Sequence, residues 1–436
     1  MLPLKFLTIK VGGFELTAFR LILVLCVFLF LLKLIRLERY REVFSVVMNN
    51  SVFKLIALFV LFITFSMFYI IITCEDSFTV KRAVYTYFSW TTYFFIFPVV
   101  ALTEMIYGKN ALIIFSRASY IWFVLVLFGL IQVFLHQIGI TFSYESLFEY
   151  SPNNISSVFG FPILRASSLF GEPRNMAAII IPVFYLRAFF KGRNALTKYD
   201  YILIGVIGIL TGSRTFFVFV IALLLFYLFV FSDRKSSFLN YRNKVILIMF
   251  LIIAIPIAID FSDDISPRTL TLIESAIAGK FNPYGHLFMS AADWLWIPYL
   301  YDIISFKMNL LDVLFGNGLG SFNLVVDEYF IRIFNFSVLK YNVIQGTHFL
   351  IFHFLVEMGL LGVILFLYIF YKVYVMINSI AMNELINASM LKLVVASMFI
   401  SGMIGMSFVF VVAYIIVFYL YFQEGIDREK YEGRFG

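Results

Sequence analysis

The sequence predicts an all-α polytopic integral membrane protein with about 11–12 transmembrane helices and one long outer, periplasmic loop. Of its 436 residues, 62% are hydrophobic and only 14% are charged, and the mean hydropathy is +0.96. A soluble protein needs more charge than this to cover its surface. Apolar runs of about twenty residues recur along the chain, which is the length that a helix needs to cross the hydrocarbon core.

Eleven apolar runs are predicted as spans, and together they make residues 1–436 a single transmembrane domain. No cleavable signal peptide is expected, because the first run ends in a basic flank without a small-residue cleavage site. The predicted spans are 16–36, 53–73, 84–106, 118–141, 175–190, 199–213, 215–231, 244–261, 346–371, 391–407 and 409–423.

The distribution of lysine and arginine predicts the orientation of the chain. The segments assigned to one side hold twenty of these residues, and the short segments on the other side hold eight. Because positive residues stay in the cytoplasm, the C-terminus is predicted inside and, with eleven spans, the N-terminus outside. The net charge of +7 then reflects cytoplasmic anchoring, and nucleic acid is not expected as a partner because no basic block carries interleaved aromatic residues.

Two predicted outer loops are longer than a connection requires. One runs from Phe142 to Arg174, and the other covers residues 262–345. Long loops of this kind are usually functional or separately folded. Within the second loop, residues 287–306 mix tryptophan and tyrosine with aspartate, a composition that suits a segment at the membrane interface.

Four of the arginines on the predicted outer side are candidate ligand-binding residues, against the general trend of positive charge. Arg165 and Arg174 flank the run RASSLFGEPR, Arg214 lies in TGSRT, and Arg268 lies in ISPRT. Guanidinium groups bind phosphate oxygens in a bidentate way and keep their charge, so a pyrophosphate group is the natural ligand. A structural role, such as neutralising a nearby acid or anchoring a helix end, is an equal alternative for each one.

His348 opens an apolar helix with the sequence THFLIFHFLVEMGLLG. A histidine at this position can accept a proton from an attacking hydroxyl, or it can simply bond a neighbouring carbonyl group. Glu172, before Pro173, is a second candidate base. His353 and Glu357 are four residues apart on one helix face, and they are expected to satisfy each other inside the bundle.

The glycine-rich stretch GNGLGSFN, residues 316–323, predicts a tight turn whose backbone approaches the membrane or a ligand closely. It does not lie between a strand and a helix, so it is a poor dinucleotide site. The spacing of His, Asp and Cys residues suggests no metal site, and no cofactor is expected.

Four motifs in order, RASSLFGEPRNMA, LTGSRTFFVFVIALLL, GNGLGSF and THFLIFHFLVEMGLLGVILF, resemble the O-antigen polymerase (Wzy) and O-antigen ligase family. The resemblance covers residues 165–370, about half of the chain. It implies a fold grouped with the GT-C glycosyltransferases and a bacterial inner-membrane location. It also implies metal-independent transfer of a glycan from undecaprenyl pyrophosphate to a hydroxyl on the periplasmic face.

By position in these motifs, the resemblance implies His348 as the catalytic base and Arg214, which matches the arginine of the family's SR motif, as a catalytic and pyrophosphate-binding residue. Arg165 matches the arginine ahead of the EP motif, and Arg268 matches a loop arginine loosely. The expected partners are an undecaprenyl-pyrophosphate-linked oligosaccharide, the bilayer and a chain-length regulator protein.

Three functions are compatible with the sequence. The first is polymerisation of lipid-linked repeat units into O-antigen or a related surface polysaccharide. The second is ligation of glycan to lipid A core, which uses the same donor. The third is a lipid-linked oligosaccharide flippase, although no internal repeat typical of transporters is visible.

Overall fold

The computed structural model describes residues 8–11, 14–108, 111–140, 155–158, 161–166, 168, 173–190, 197–213, 216, 219–224, 309–334, 350–380, 388–404 and 412–422. These residues are predominantly α-helical, and four of their helices are long and apolar enough to cross a membrane. The predicted helical class is therefore confirmed, and these apolar helices are compatible with an α-helical membrane protein. Most of the loop 262–345 and the predicted span 244–261 lie outside the described residues, so the total span number, the loop and the single-domain organisation remain predictions.

The elements begin with two short strands and continue as helices. A π-helical turn, Thr92–Ile96, joins α4 to α5. In chain order the elements are β1 (Thr8–Val11), β2 (Phe14–Thr17), α1 (Ala18–Arg36), α2 (Glu38–Asn49), α3 (Ser51–Thr73), α4 (Ser77–Thr91), α5 (Phe97–Gly108), α6 (Ala111–Gln137), β3 (Ile155–Val158), β4 (Phe161–Leu164), α7 (Pro173–Phe190), α8 (Lys198–Leu210), α9 (Leu310–Phe315), α10 (Phe322–Phe334), α11 (Leu350–Ile380), α12 (Ala388–Ile404) and α13 (Val412–Phe422).

The chain divides into two compact units. The first unit comprises residues 1–20, 112–291 and 396–401, and the second comprises residues 21–111, 292–395 and 402–436. Antiparallel hairpins pair β1 with β2 and β3 with β4. The register pairs Thr8 with Thr17 in the first hairpin and Ile155 with Leu164 in the second.

An aromatic cluster forms the centre of the second unit. Trp90 stacks on Phe94 with ring centroids 4.6 Å apart, and Phe354 lies 4.6 Å from Trp90 and 4.7 Å from Phe366. Phe59 of α3 completes the group. Offset and edge-on ring contacts of this kind add to the free energy of burial, so the cluster fixes α3, α4 and α11 against one another.

The π-helical turn has a local cause in the sequence. Pro98 has no N–H to donate to the carbonyl oxygen four residues earlier, which belongs to Phe94. The hydroxyl of Tyr414 donates to that oxygen at 2.9 Å and to the carbonyl oxygen of Tyr93 at 3.2 Å. A side chain of α13 therefore replaces the hydrogen bond that the proline removes.

Helix α2 was not predicted, because residues 38–49 were assigned to a cytoplasmic loop. The segment is amphipathic, and its Tyr40 and Val47 are fully buried. Tyr40 packs against Tyr107 of α5 with ring centroids 4.6 Å apart. Lys33, at the end of α1, forms an ion pair of 3.0 Å with Glu104 of α5.

Candidate functional site

The candidate site in the first unit begins at Arg165, the residue that follows β4. Its Nε donates a hydrogen bond of 2.9 Å to the carbonyl oxygen of Thr211, and the next residue, Ala166, donates from its amide to the Leu210 carbonyl at 2.8 Å. These two bonds join the RASS motif to the end of α8. Two of the motifs that the sequence singled out are therefore adjacent in space.

The turn that follows α8 is built by its own polar side chains. The Thr211 hydroxyl donates to the Gly208 carbonyl at 2.6 Å and accepts from the Ser213 amide at 3.3 Å. Gly212 has a φ of +53°, a conformation that a side chain makes costly. Thr211 and Ser213 are buried. The sequence TGS thus forms a rigid turn directly before Arg214.

The RASS segment is also held on its other side by α6. The Ser168 amide donates to the side-chain oxygen of Gln132 at 2.9 Å, and the Ser168 hydroxyl donates to the Leu125 carbonyl. Ser168 has a φ of +50°, an unfavourable conformation for serine that these contacts stabilise. The RASS segment is therefore anchored to α6 through Ser168 and to the end of α8 through Arg165.

Arg174 is the second residue of α7, which begins at Pro173. Proline suits the first helical position, because its φ is already helical and its missing N–H would have no partner there. The following residues from Met176 to Leu186 are buried, as expected for a helix in the interior of a bundle.

The other predicted site residues lie outside the described part of the chain. His348, Arg214, Glu172 and Arg268 belong to this group, and so does the side chain of Arg174. Their roles stay predictions. The structure places Arg165, and it brings Arg165 to the turn that leads into Arg214.

The glycine-rich stretch in the second unit forms the predicted tight turn, with φ values of +82° at Gly316, +96° at Gly318 and +81° at Gly320. Its backbone approaches other helices of the protein. The Asn317 amide donates to the Val356 carbonyl at 2.9 Å, and the Gly318 amide donates to the Glu357 carbonyl at 3.0 Å.

These hydrogen bonds compensate for a break in α11. Gly359 has a φ of +65° and a ψ of −171° inside the helix, so the carbonyl groups before it lose their usual intrahelical donors. The turn amides supply new donors, and the Ser66 hydroxyl adds a bond of 3.4 Å to the Glu357 carbonyl. Helix α11, which covers residues 350–371 of the predicted span 346–371, is thus interrupted at a glycine.

The expected contact between His353 and Glu357 is confirmed. His353 Nδ1 lies 3.9 Å from Glu357 Oε1, and Glu357 is 5% exposed. Glu357 also accepts a hydrogen bond from the Gly320 amide and interacts electrostatically with Arg82 of α4. Within the described ranges, no group of three or more His, Cys, Asp or Glu side chains is placed to hold a metal ion.

Sequence reasoning missed three residues that organise these regions. Thr211 and Gln132 hold the RASS segment, and Arg82 balances Glu357. Gln132 could have been identified from the sequence, since a polar side chain in the middle of an apolar helix usually faces the protein interior. No protein-family model, no curated protein and no solved structure matches the chain.

Proposed function

We propose that this protein is a metal-independent polymerase that joins undecaprenyl-pyrophosphate-linked oligosaccharide repeat units on the periplasmic face of a bacterial inner membrane. The observation that supports this proposal most strongly is the hydrogen bond from Arg165 to the Thr211 carbonyl. It supports the proposal because it holds an arginine beside the turn that precedes Arg214, as expected if both guanidinium groups serve one anionic ligand.

The proposed reaction is an inverting-type displacement. An acceptor hydroxyl oxygen bonds to the anomeric carbon of the donor glycan, and the bond from that carbon to the pyrophosphate oxygen breaks. Undecaprenyl pyrophosphate leaves with the bonding electrons, and the hydroxyl proton passes to His348 or, as the second candidate, to Glu172. Arg165, Arg174, Arg214 and Arg268 stabilise the negative charge that develops on the leaving group.

The rigid TGS turn contributes to this proposal through pre-organisation. An arginine that follows a buried, hydrogen-bonded turn starts from a defined backbone position, so less ordering is needed when the pyrophosphate binds. The long loop 262–345 is proposed to cover the reacting ends, and a GT-C-like arrangement of the helices is part of the same proposal.

The test uses purified protein and a radiolabelled undecaprenyl-pyrophosphate oligosaccharide repeat unit from the host, resolved on a gel. A polymerase yields a ladder at repeat-unit spacing without lipid A core. The ladder should persist in EDTA and be lost in Arg214→Ala and His348→Ala. Transfer that occurs only after lipid A core is added would identify a ligase, and lipid movement without bond formation would identify a transporter.

A further inference from the structure

The first turn of α10 buries polar side-chain atoms that have no hydrogen-bond partner among the described residues. Ser321 precedes the helix, and its carbonyl accepts from the Val325 amide at 3.0 Å. Ser321 and Asn323 are each 1% exposed. The Ser321 hydroxyl and both polar atoms of the Asn323 amide are the unpartnered atoms. Such burial is unfavourable unless the groups gain a hydrogen bond.

Groups of both charges surround this turn. Gly320, just before it, donates its amide to the Glu357 carboxylate, which also interacts with Arg82 and His353. Asp327 follows Asn323 by one helical turn and is 6% exposed. The Glu357 carboxylate is thus already paired with Arg82 and His353. Because the carboxylate at this turn has charged partners, the unpartnered atoms are suited to a neutral polar group.

The unpartnered atoms match the hydrogen-bonding pattern of a sugar hydroxyl. An asparagine amide presents donors and an acceptor, and a serine hydroxyl does both. A sugar hydroxyl likewise donates one hydrogen bond and accepts others. The ring of Phe322, the residue between Ser321 and Asn323, packs against the ring of His353 with centroids 4.2 Å apart, which holds His353 against the same turn.

We propose that Ser321 and Asn323, together with His353 and Glu357, bind a hydroxyl-bearing part of the acceptor saccharide. This inference rests on the proposed polymerase function and assigns the acceptor to this cluster. His353 belongs to the first turn of α11, and His348 lies just ahead of that helix. The cluster therefore lies at the end of α11 that leads to the proposed base.

The experiment measures saccharide binding separately from catalysis. The probe is the free oligosaccharide repeat unit of the host, released from its lipid, and the readout is the saccharide-dependent rise in Tm of the purified full-length protein. The variants are Asn323→Leu, which keeps the branching and the number of side-chain heavy atoms but removes the polar groups, and Ser321→Ala, which removes the hydroxyl oxygen. Ser401→Ala is the matched control, since the Ser401 hydroxyl is also buried and unpartnered among the described atoms.

We expect the saccharide to raise the Tm of the wild type, of Ser401→Ala and of Arg214→Ala, and to have at least a tenfold weaker apparent affinity for Asn323→Leu and Ser321→Ala. Without saccharide, Asn323→Leu should keep or raise the wild-type Tm, because an unpartnered amide is replaced by an apolar group. The same two variants should lose most of the polymer ladder.

Equal saccharide shifts in the wild type and both cluster variants would overturn the inference, and so would an absent wild-type shift. If both variants also make a ladder like that of the wild type, the saccharide-site inference falls and the polymerase proposal stands. If the wild type makes no ladder but its saccharide shift is lost in the cluster variants, saccharide binding stands and the polymerase proposal falls.

Discussion

Arg165 and Thr211, 46 residues apart in the chain, are joined by a hydrogen bond of 2.9 Å from the guanidinium Nε to the carbonyl oxygen. An arginine that satisfies the carbonyl of a helix end holds that end in place. The bond therefore fixes the turn that carries the chain from α8 to Arg214.

Arg165→Ala should lower polymer yield by about tenfold or more, because a hydrogen bond from a charged group is typically worth about 1.5–3 kcal/mol. Arg165→Lys should recover only part of the activity, since an ammonium group keeps the charge but not the planar geometry. The amount and length of the radiolabelled ladder are the measurement. Lys198→Ala, at an exposed position of the same unit, is the control, and a wild-type ladder from Arg165→Ala would contradict the prediction.

Gly316→Ala should destabilise the protein by at least about 2 kcal/mol. A positive φ is energetically unfavourable for alanine, and the added Cβ would collide with the Glu357 carbonyl group. The measurement is the Tm of the purified protein. Gly205→Ala is the matched control: Gly205 lies inside α8 with open space around it, so alanine there should stabilise by about 0.5–1 kcal/mol. Equal Tm changes in the two variants would show that the turn does not need glycine.

Tyr414→Phe should cost about 1–3 kcal/mol of stability, because it leaves the buried carbonyl oxygen opposite Pro98 without its donor. Tyr421→Phe on the same helix removes a hydroxyl from a residue that is 37% exposed, and it should change stability little. Both effects are read from Tm. A Tyr414→Phe protein as stable as the wild type would mean that the π-helical turn relaxes without this hydroxyl.

Asp76→Ala should lower stability at pH 7 by about 0.5–2 kcal/mol, because Asp76 caps α4. Burial acts to raise the pKa of Asp76, but hydrogen bonds from the Thr79 hydroxyl, the Thr79 amide and the Phe78 amide outweigh it and lower the pKa. The stabilisation is thus present above the unfolded-state pKa of about 3.9 and lost as the pH falls through the lower folded-state pKa.

The Tm difference between wild type and Asp76→Ala should accordingly shrink between pH 5 and pH 2. Asp76→Asn keeps an N-cap side chain that does not titrate in this range. The Tm of the Asp76→Asn protein should therefore fall less than that of the wild type as the pH is lowered. An Asp76→Ala deficit of constant size across this pH range would show that the carboxylate charge contributes nothing to the cap.

Much of the helical framework was predictable, because the length of an apolar run is a local property. The predicted run 53–73 corresponds to α3 (Ser51–Thr73), and 175–190 corresponds to α7 (Pro173–Phe190). The amphipathic α2 was missed, since polar residues interrupt its apolar residues and leave no long apolar run. The break at Gly359 was missed because a glycine in an apolar run is compatible with both a continuous helix and a kinked one.

The residue types of the candidate site were more predictable from the sequence than their arrangement in space. The motifs RASS and TGSR were singled out by charge on the predicted outer side, and the structure adds the hydrogen bond that joins them. The partner of Arg165 is a backbone carbonyl, which every residue possesses, so no sequence pattern could identify Thr211 as the acceptor.

The sequence by itself determined which helices are apolar enough to enter a membrane and that residues 316–323 form a glycine-rich turn. Each of these properties depends on residues that are neighbours along the chain. Tertiary structure alone decided that the glycine turn bonds the broken α11, that Tyr414 replaces the donor missing at Pro98, and that Arg165 holds the end of α8. The physical reason is that backbone groups freed by glycine or proline must find donors and acceptors in the folded chain, and only packing decides which residues are near enough.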